Sequence, residues 1–302
     1  MSKISIENQP SETAMGAATL RALAATDERK EIQGTDYLAE IFLAEDGKGF
    51  LKDRAKREWV MKNRIPPGMY EFMIARTAFF DNIVEKALRA NIPQIVFLGA
   101  GYDSRSYRFQ KIIKDTRIFE LDIQPTQERK KELLNQAGIP IPGQLTFVAI
   151  NFNTDNIAET LTRAGFNRNK LALYVWEGVT YYLPAKVVDD TLSVIMTNSP
   201  AGSFICFDYA SHSPELSNDE TVKKIREHMK SRYSNEPTQF GIRTGETESF
   251  LSTRGYTIIE HLNSKDMEKN YLTLRDGSTA GKVPALFCLL LASASNHNRQ
   301  QK

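Results

Sequence analysis

The sequence predicts an α/β protein built on a doubly wound, largely parallel sheet of about seven strands. Short apolar segments alternate with segments of helical periodicity over most of the chain, and this alternation is typical of parallel sheets. The apolar segments run almost without interruption, which indicates strands buried on both faces. Glycines follow the first of them, as expected where a backbone closely approaches a ligand. The chain has 302 residues, of which 41% are hydrophobic, enough for a sizeable core.

The part of the chain before the first strand is predicted to be helical. We expect residues 1–92 to form a helical cover packed on a core of residues 93–302. Small and apolar residues favour the first helix, and the break at Pro66-Pro67-Gly68 precedes a long amphipathic one. The predicted helices cover residues 13–30, 37–43, 54–62 and 69–90.

Seven apolar segments predict the strands: 94–100, 117–123, 145–151, 171–178, 203–210, 256–262 and 285–292. Helical patterns separate most of them, at 126–137, 156–164, 185–197 and 246–254. Right-handed crossovers then place helices on both faces of the sheet. No crossover helix is evident between the last two segments, which leaves room for a terminal antiparallel strand.

A long polar stretch at about 211–244 interrupts the alternation after the fifth strand. Long connections in compact domains are commonly lids or binding loops. We therefore expect this insertion, with a helix over 223–232, to close over the ligand edge of the sheet together with the N-terminal helices.

Composition and charge argue against several classes of protein. Lys and Arg number 39 and Asp and Glu 37, a net charge of +2, which gives no general reason to expect a nucleic acid or a membrane as partner. Cys206 and Cys288 lie in apolar runs and are interpreted as buried thiols. The four histidines are scattered, so no metal site is predicted. The polar N-terminus lacks a signal-peptide core, and the longest apolar run is too short to span a bilayer, so we expect a soluble cytoplasmic protein.

Glycines and polar residues gather at the carboxyl ends of the first four strands, where open α/β sheets bind ligands. The first strand ends in Gly99-Ala100-Gly101. Asp122 ends the second, about 20 residues later, as suits an acid that bonds the two hydroxyls of a ribose. Asn151 and Phe152 end the third strand. The Asn151 side chain could bond the edge of an adenine, and the Phe152 ring could cover its face. Glu177 ends the fourth, and together these ends predict a pocket for an adenosine-containing cofactor.

The glycine turn distinguishes two classes of cofactor. A dinucleotide fingerprint needs a third glycine where helix and strand pack closely, and Ser104 occupies that position. Bulky residues follow, so no pyrophosphate cradle is evident. S-adenosylmethionine has no phosphates and needs a close glycine turn and an acid for its ribose. A nicotinamide-dependent oxidoreductase and a non-catalytic cofactor-binding homologue stay as alternatives.

Several segments in order resemble motifs of the leucine carboxyl methyltransferase-like family. The likeness covers about residues 13–210 and includes helices typical of the family's bacterial branch. It implies a Rossmann-like class I methyltransferase fold, with S-adenosylmethionine as methyl donor and S-adenosylhomocysteine as product. The matching segments are 13–22 and 36–40 (N-terminal helices), 74–81 (arginine motif), 95–109 (first strand and turn), 119–125 (acid motif) and 176–183 (Glu-Gly-Val motif).

The resemblance also assigns the methionine part of the cofactor to particular residues. Arg76 and Arg21 would hold its carboxylate, which a guanidinium fork matches well. The residues Gly99, Ala100 and Gly101 would line this moiety. Glu177 would face its amine or the acceptor. The alternative roles are a surface ion pair of Arg76 with Asp81 or Glu71 and a helix-capping role for Glu177.

The remaining assignments concern the nucleoside. Asp122 would bind the ribose, and Asn151 and Phe152 would meet the adenine. The family usually has an aspartate where Asn151 stands; an amide still accepts from the adenine amino group but offers no charge.

The acceptor is the least determined part of the reaction. Methyl transfer is an in-line displacement, so alignment and exclusion of water matter most. A carboxylate acceptor needs no base, whereas a hydroxyl benefits from one. His212, just after the fifth strand, is the candidate base for a hydroxyl only. The bacterial-type N-terminus favours a small metabolite, such as a polyketide, and the oligomeric state stays open.

Overall fold

One sheet organises the chain, and its centre is strongly apolar. The computed structural model describes residues 9–43 and 45–295. The strands are β1 (Gln94–Leu98), β2 (Arg117–Asp122), β3 (Leu145–Ala149), β4 (Ala172–Trp176), β5 (Phe204–His212), β6 (Ile242–Arg243), β7 (Tyr256–Leu262) and β8 (Phe287–Ala294). Seven lie in the order β3-β2-β1-β4-β5-β8-β7, and β6 pairs with β5. The seven predicted strands are confirmed, and β6 is an addition from inside the insertion.

The strand order places a ligand crevice at the middle of the sheet. β1 to β5 run parallel, while β8 runs antiparallel to both β5 and β7. The chain moves outward from β1 through β2 to β3, then returns to the other side of β1 as β4. The loops after β1 and β4 therefore diverge, which opens a crevice at their carboxyl ends.

The helices cover both faces of the sheet. They are α1 (Glu12–Ala25), α2 (Glu45–Leu51), α3 (Arg54–Arg64), α4 (Met69–Arg89), α5 (Arg105–Arg108), α6 (Gln124–Gln136), α7 (Ile157–Arg163), α8 (Ala185–Thr197), α9 (Pro214–Asn218), α10 (Glu220–Arg232), α11 (Thr247–Ser252) and α12 (Ser264–Tyr271). Ile95 and Phe97 face a core shared with α1, α4 and α12, whereas Val96 and Leu98 face a core shared with α7, α8 and α11. This alternation within one buried strand is what a doubly wound sheet requires.

The short helix predicted at 37–43 is present, but as a 3-10 helix, Ala39–Phe42, inside a turn-rich segment. One expectation about helices was wrong. The connection between the last two strands does contain a helix, α12. Its signal is a capping box: the Asn263 side chain accepts from the Asp266 amide, and the Asp266 side chain accepts from the Asn263 amide. Its eight residues are too few for apolar periodicity to reveal it.

The long helix α4 anchors the N-terminal segment to the sheet. Gly68 precedes it with φ +80°, a conformation that suits the Pro-Gly break. Phe79 and Phe80 are fully buried, and the ring of Phe72 stacks on Phe287 of β8 at 4.0 Å between centroids. Within residues 9–43 and 45–295, no helix is both long and apolar enough to cross a membrane.

A buried ion pair lies between β2 and α6. Lys130 Nζ is 2.7 Å from Glu120 Oε2, and each side chain is 1% exposed. Ser106 donates to the other oxygen at 2.8 Å. Burial raises the pKa of Glu120, although Lys130 opposes that rise.

We predict that Lys130→Met destabilises the fold by about 3–5 kcal/mol, because a buried carboxylate loses its cation. Glu120 with a raised pKa binds its proton more tightly in the folded state, so the loss should be smaller near about pH 5 than near about pH 8. Urea denaturation at both pH values measures this. Lys186→Met, at an exposed pair with Asp190, is the control, and an equal effect of both variants would refute the argument.

Candidate functional site

A large cavity opens at the carboxyl ends of β1 to β5. Its volume is about 1640 Å³, beyond the roughly 300–1,000 Å³ of a typical single-ligand site. The structure brings together every site residue that the sequence singled out: Arg21, Arg76, Gly99, Ala100, Gly101, Asp122, Asn151, Phe152, Glu177 and His212.

The glycine turn after β1 is shaped by close packing. Gly99 has φ +69°, and a Cβ there would lie 2.5 Å from a Val179 methyl carbon. Gly101 has φ +47°. Both positions thus need glycine: each has a positive φ, and a Cβ would clash with Val179 at Gly99 and crowd Ala14 at Gly101.

Asp122 stands at the end of β2 beside this turn. Its Oδ2 accepts from the Gly101 amide at 2.5 Å and its Oδ1 from the Ile123 amide at 2.7 Å. Each oxygen keeps a second acceptor site for a ligand hydroxyl. Burial raises the pKa of Asp122 to about 6, although both amide bonds oppose the rise. Glu120, the other acid of the motif, is occupied by Lys130 and Ser106.

Asn151 and Phe152 lie at the end of β3 on the same side of the cavity. The Asn151 amide donates to Asp155 at 2.8 Å, and its side-chain oxygen accepts from the Asn153 amide at 3.0 Å. This local turn fixes the Asn151 side chain. The Phe152 ring is half-buried and lines the cavity.

Glu177 and Arg76 meet at the end of β4. Arg76 Nε lies 3.0 Å from Glu177 Oε1, and Arg76 Nη1 lies 3.2 Å from Asp208 Oδ2. Arg105 Nη1 donates to the second Glu177 oxygen at 2.7 Å. Burial lowers the pKa of Arg76, but the two carboxylates outweigh it, and the pKa lies above its ordinary value. The alternative of a surface pair between Arg76 and Asp81 or Glu71 does not hold, because Arg76 is buried.

Asp208 was missed by the sequence analysis. It is fully buried on β5 and accepts from the Gly178 amide and the Tyr181 hydroxyl, each at 2.6 Å. Burial raises its pKa. The available signal was an aspartate within the otherwise apolar strand 203–210.

A wider charge cluster surrounds these residues, and most of it was also missed. Arg105 donates to Asp81 at 2.7 Å and to Asp103 at 2.5 Å, and Arg108 donates to both Asp81 oxygens at 2.8 Å. Arg21 donates to Asp36 at 2.8 Å. With Arg76, Glu177 and Asp208, the cluster has four arginines and five carboxylates, and so a net charge of −1. Three of its members, Asp103, Arg105 and Arg108, follow the glycine turn, and their charges were the available signal in the sequence.

Two guanidinium groups retain capacity toward the cavity. Arg21 uses Nε for Asp36 and Nη2 for the Tyr102 carbonyl, and its Nη1 has no acceptor among the described residues. Arg76 Nη2 donates to the sulfur of Met73 at 3.4 Å, a weak acceptor that a carboxylate would outcompete.

His212 lies at the edge of the cavity, at the end of β5. It is exposed, and its carbonyl accepts from the Thr244 amide at 3.0 Å. His261, at the end of β7, is hydrogen-bonded to Tyr209 at 2.8 Å and is not among the residues that line the cavity.

The insertion contacts the N-terminal helix above the cavity. The Glu236 carboxylate accepts from the Glu12 amide at 3.0 Å and from the hydroxyls of Ser11 and Thr13. The Tyr233 hydroxyl lies so near Gly16 that a Cβ there would be 2.2 Å away. One carboxylate thus caps the start of α1 from more than 220 residues further along the chain.

Comparison with known proteins agrees with this geometry. The sequence model of the family "Leucine carboxyl methyltransferase" matches residues 14–196. A Bacillus subtilis protein named "Putative S-adenosyl-L-methionine-dependent methyltransferase YktD" is 29% identical over 72% of this chain and 70% of its own length. A Mycobacterium marinum protein with the same description is 32% identical over the same shares.

Solved structures support the fold. A crystal structure described as a putative methyltransferase from Thermobifida fusca has a TM-score of 0.58 at 15% identity, covering 95% of this chain and 96% of that one. A DUF574 family protein from Streptomyces avermitilis has a TM-score of 0.58 at 14% identity, covering 94% and 97%.

We predict that Asp208→Asn destabilises the fold by about 3 kcal/mol or more, because it leaves the Arg76 cation partly unpaired in a buried site. Urea denaturation measures the loss. Asp190→Asn removes one partner of an exposed pair and should change little. Equal urea midpoints for Asp208→Asn and wild type would mean that the Asp208 carboxylate does not stabilise this site.

Proposed function

The chain belongs to the leucine carboxyl methyltransferase family, and from this premise we propose that it methylates a carboxylate or hydroxyl oxygen of a small-molecule acceptor. It is an S-adenosylmethionine-dependent methyltransferase, and S-adenosylhomocysteine is its second product. The observation that carries the proposal is one cavity of about 1640 Å³ that is lined by the glycine turn, by Asp122 and Glu177 and by many apolar side chains.

The residues around the glycine turn fit S-adenosylmethionine. Gly99 allows the turn to pack against Val179, where a Cβ would clash, and the spare acceptor sites of Asp122 suit the two ribose hydroxyls. Asn151 and Phe152 would meet the adenine. When bound, the cofactor supplies a methyl group on a positively charged sulfur.

The charge cluster supports the placement of the methionine part. S-adenosylmethionine carries a sulfonium, an amine and a carboxylate, a net charge of +1, which complements the net −1 of the cluster. Arg21 and Arg76 would bind the carboxylate through Nη1 and Nη2, and Glu177 would face the amine or the acceptor. Arg76 and Arg105 hold both Glu177 oxygens in place.

The chain's role in the reaction is alignment and exclusion of water. A carboxylate acceptor is ionised at neutral pH and needs no base. For a hydroxyl acceptor, His212 at the cavity edge is the candidate base. The alternative of a nicotinamide-dependent oxidoreductase is not favoured. Ser104, which stands where a dinucleotide fingerprint has its third glycine, is buried and donates to Asp36 at 2.5 Å.

The test of the acceptor class uses S-adenosylmethionine with a labelled methyl group and a panel of small carboxylic acids and phenols. We expect label in a small, extractable product. Mild alkali releases methanol from a methyl ester but not from an ether. Label released by alkali therefore indicates a methylated carboxylate, and label that stays indicates a methylated hydroxyl. Label found only on nitrogen atoms, or only in macromolecular products, would refute the proposal.

We predict that Asp122→Ala weakens S-adenosylmethionine binding at least about tenfold, or roughly 1.4 kcal/mol, by removing the acceptor for the ribose. Wild-type affinity should also fall between about pH 7 and about pH 5, because protonation near a pKa of about 6 takes an acceptor site from Asp122. Calorimetry measures both effects. Asp115→Ala, at an exposed acid before β2, is the control, and unchanged affinity in Asp122→Ala would remove Asp122 from the site.

We further propose that residues 1–92, of which 1–8 and 44 lie outside the described residues, act with the insertion as the cover of the cavity. Glu236→Ala removes the contact between the insertion and α1, so we expect release of S-adenosylhomocysteine to accelerate about threefold or more. Stopped-flow displacement measures the release rate. Glu227→Ala, an exposed change on α10, should leave it unaltered, and equal rates for both variants would argue against this contact as a closure.

A further inference from the structure

The cavity is lined by many more residues than those assigned to the cofactor, and these further residues include many apolar side chains and several arginines. The geometry points to an amphiphilic anion as the acceptor: an apolar body held inside, and a negatively charged group, separate from the methylated oxygen, held by three arginines at the rim. This inference rests on the proposed function, because the cofactor and the acceptor share the cavity.

Much of the cavity wall is apolar and adaptable. Aromatic and aliphatic side chains from the N-terminal segment and from the sheet contribute to it, among them Phe50, Ile65, Phe72 and Phe287. Four of the eight methionines of the chain also line the cavity: Met15, Met69, Met73 and Met229. Methionine is flexible and packs against irregular apolar shapes, so this wall suits a hydrophobic body.

The rim is basic, and both cover helices build it in the same way. On α3, Val60 and Arg64 lie one turn apart and both line the cavity. On α10, Met229 and Arg232 repeat this arrangement, with Arg226 beside them. Each helix therefore presents an apolar side chain toward the interior and an arginine one turn further along.

The rim arginines lack carboxylate partners. Arg64, Arg226 and Arg232 are exposed, and none forms an ion pair within residues 9–43 and 45–295. Two acids, Glu12 and Glu236, also line this side of the cavity. The three arginines and these two carboxylates together carry a net charge of +1.

The arginines of the cluster around Glu177 are all paired with carboxylates. The arginines at the rim differ: Arg64 lies over the Trp59 ring at 5.4 Å, and Arg232 lies in the last turn of α10. Neither contact neutralises a guanidinium charge. An anionic group on the acceptor, separate from the methylated oxygen, would pair with these charges and orient the acceptor in the cavity.

Two fluorescent probes isolate the anionic group. 1-Anilinonaphthalene-8-sulfonate and N-phenyl-1-naphthylamine share one apolar body, and only the first carries a sulfonate. With S-adenosylhomocysteine present, we expect the sulfonate probe to bind at least about fivefold more tightly. In the variant Arg64→Gln/Arg226→Gln/Arg232→Gln its affinity should fall to that of the neutral probe, whose own affinity should not change.

The matched control removes three exposed lysines away from the cavity, Lys111→Gln/Lys114→Gln/Lys170→Gln, and should preserve the difference between the probes. Equal affinities of the two probes for wild type, binding of neither, or an equal loss in the control would each overturn the inference. Calorimetry of S-adenosylmethionine on the arginine variant separates the two proposals: unchanged affinity shows an intact cofactor site whatever the probes do.

Discussion

The buried contact of Arg76 with Glu177 and Asp208 is the constraint on which the site depends. The three side chains come from α4, from the end of β4 and from β5, so one guanidinium fixes a helix against two neighbouring strands. Removing any one of the three side chains would leave an unpaired charge in the interior, and buried charges are stable only when they are paired. Gly178 allows the approach, since a Cβ there would lie 3.1 Å from Arg76 Nη1.

Much of the fold and the placement of the site could be predicted because both follow from local pattern. Apolar runs locate β1 to β5, β7 and β8, and parallel strands bring their carboxyl ends to a single edge. Gly99, Asp122 and Glu177 each terminate a strand, so their proximity follows from topology without any knowledge of side-chain contacts. The residues predicted for the cofactor therefore line one cavity.

The interactions between distant segments could not be predicted. Asp208 bonds Tyr181, and Arg105 joins Asp81 to Glu177; nothing in the local sequence of one residue specifies the other. The short helix α12 was missed for a different reason, because eight residues complete too few turns for an apolar stripe. Only its capping residues carried information.

The bond between Glu236 and α1 has a consequence for the order of assembly on the ribosome. The first-turn amides of a helix need acceptors from outside the helix, and here a carboxylate provides one more than 220 residues later. The start of α1 therefore lacks this acceptor until β1 to β5 and α10 have been synthesised. Until then the side-chain cap at the start of α1 comes from its own segment, since Ser11 accepts from the Ala14 amide, and the bond that ties this helix to the insertion forms late in synthesis.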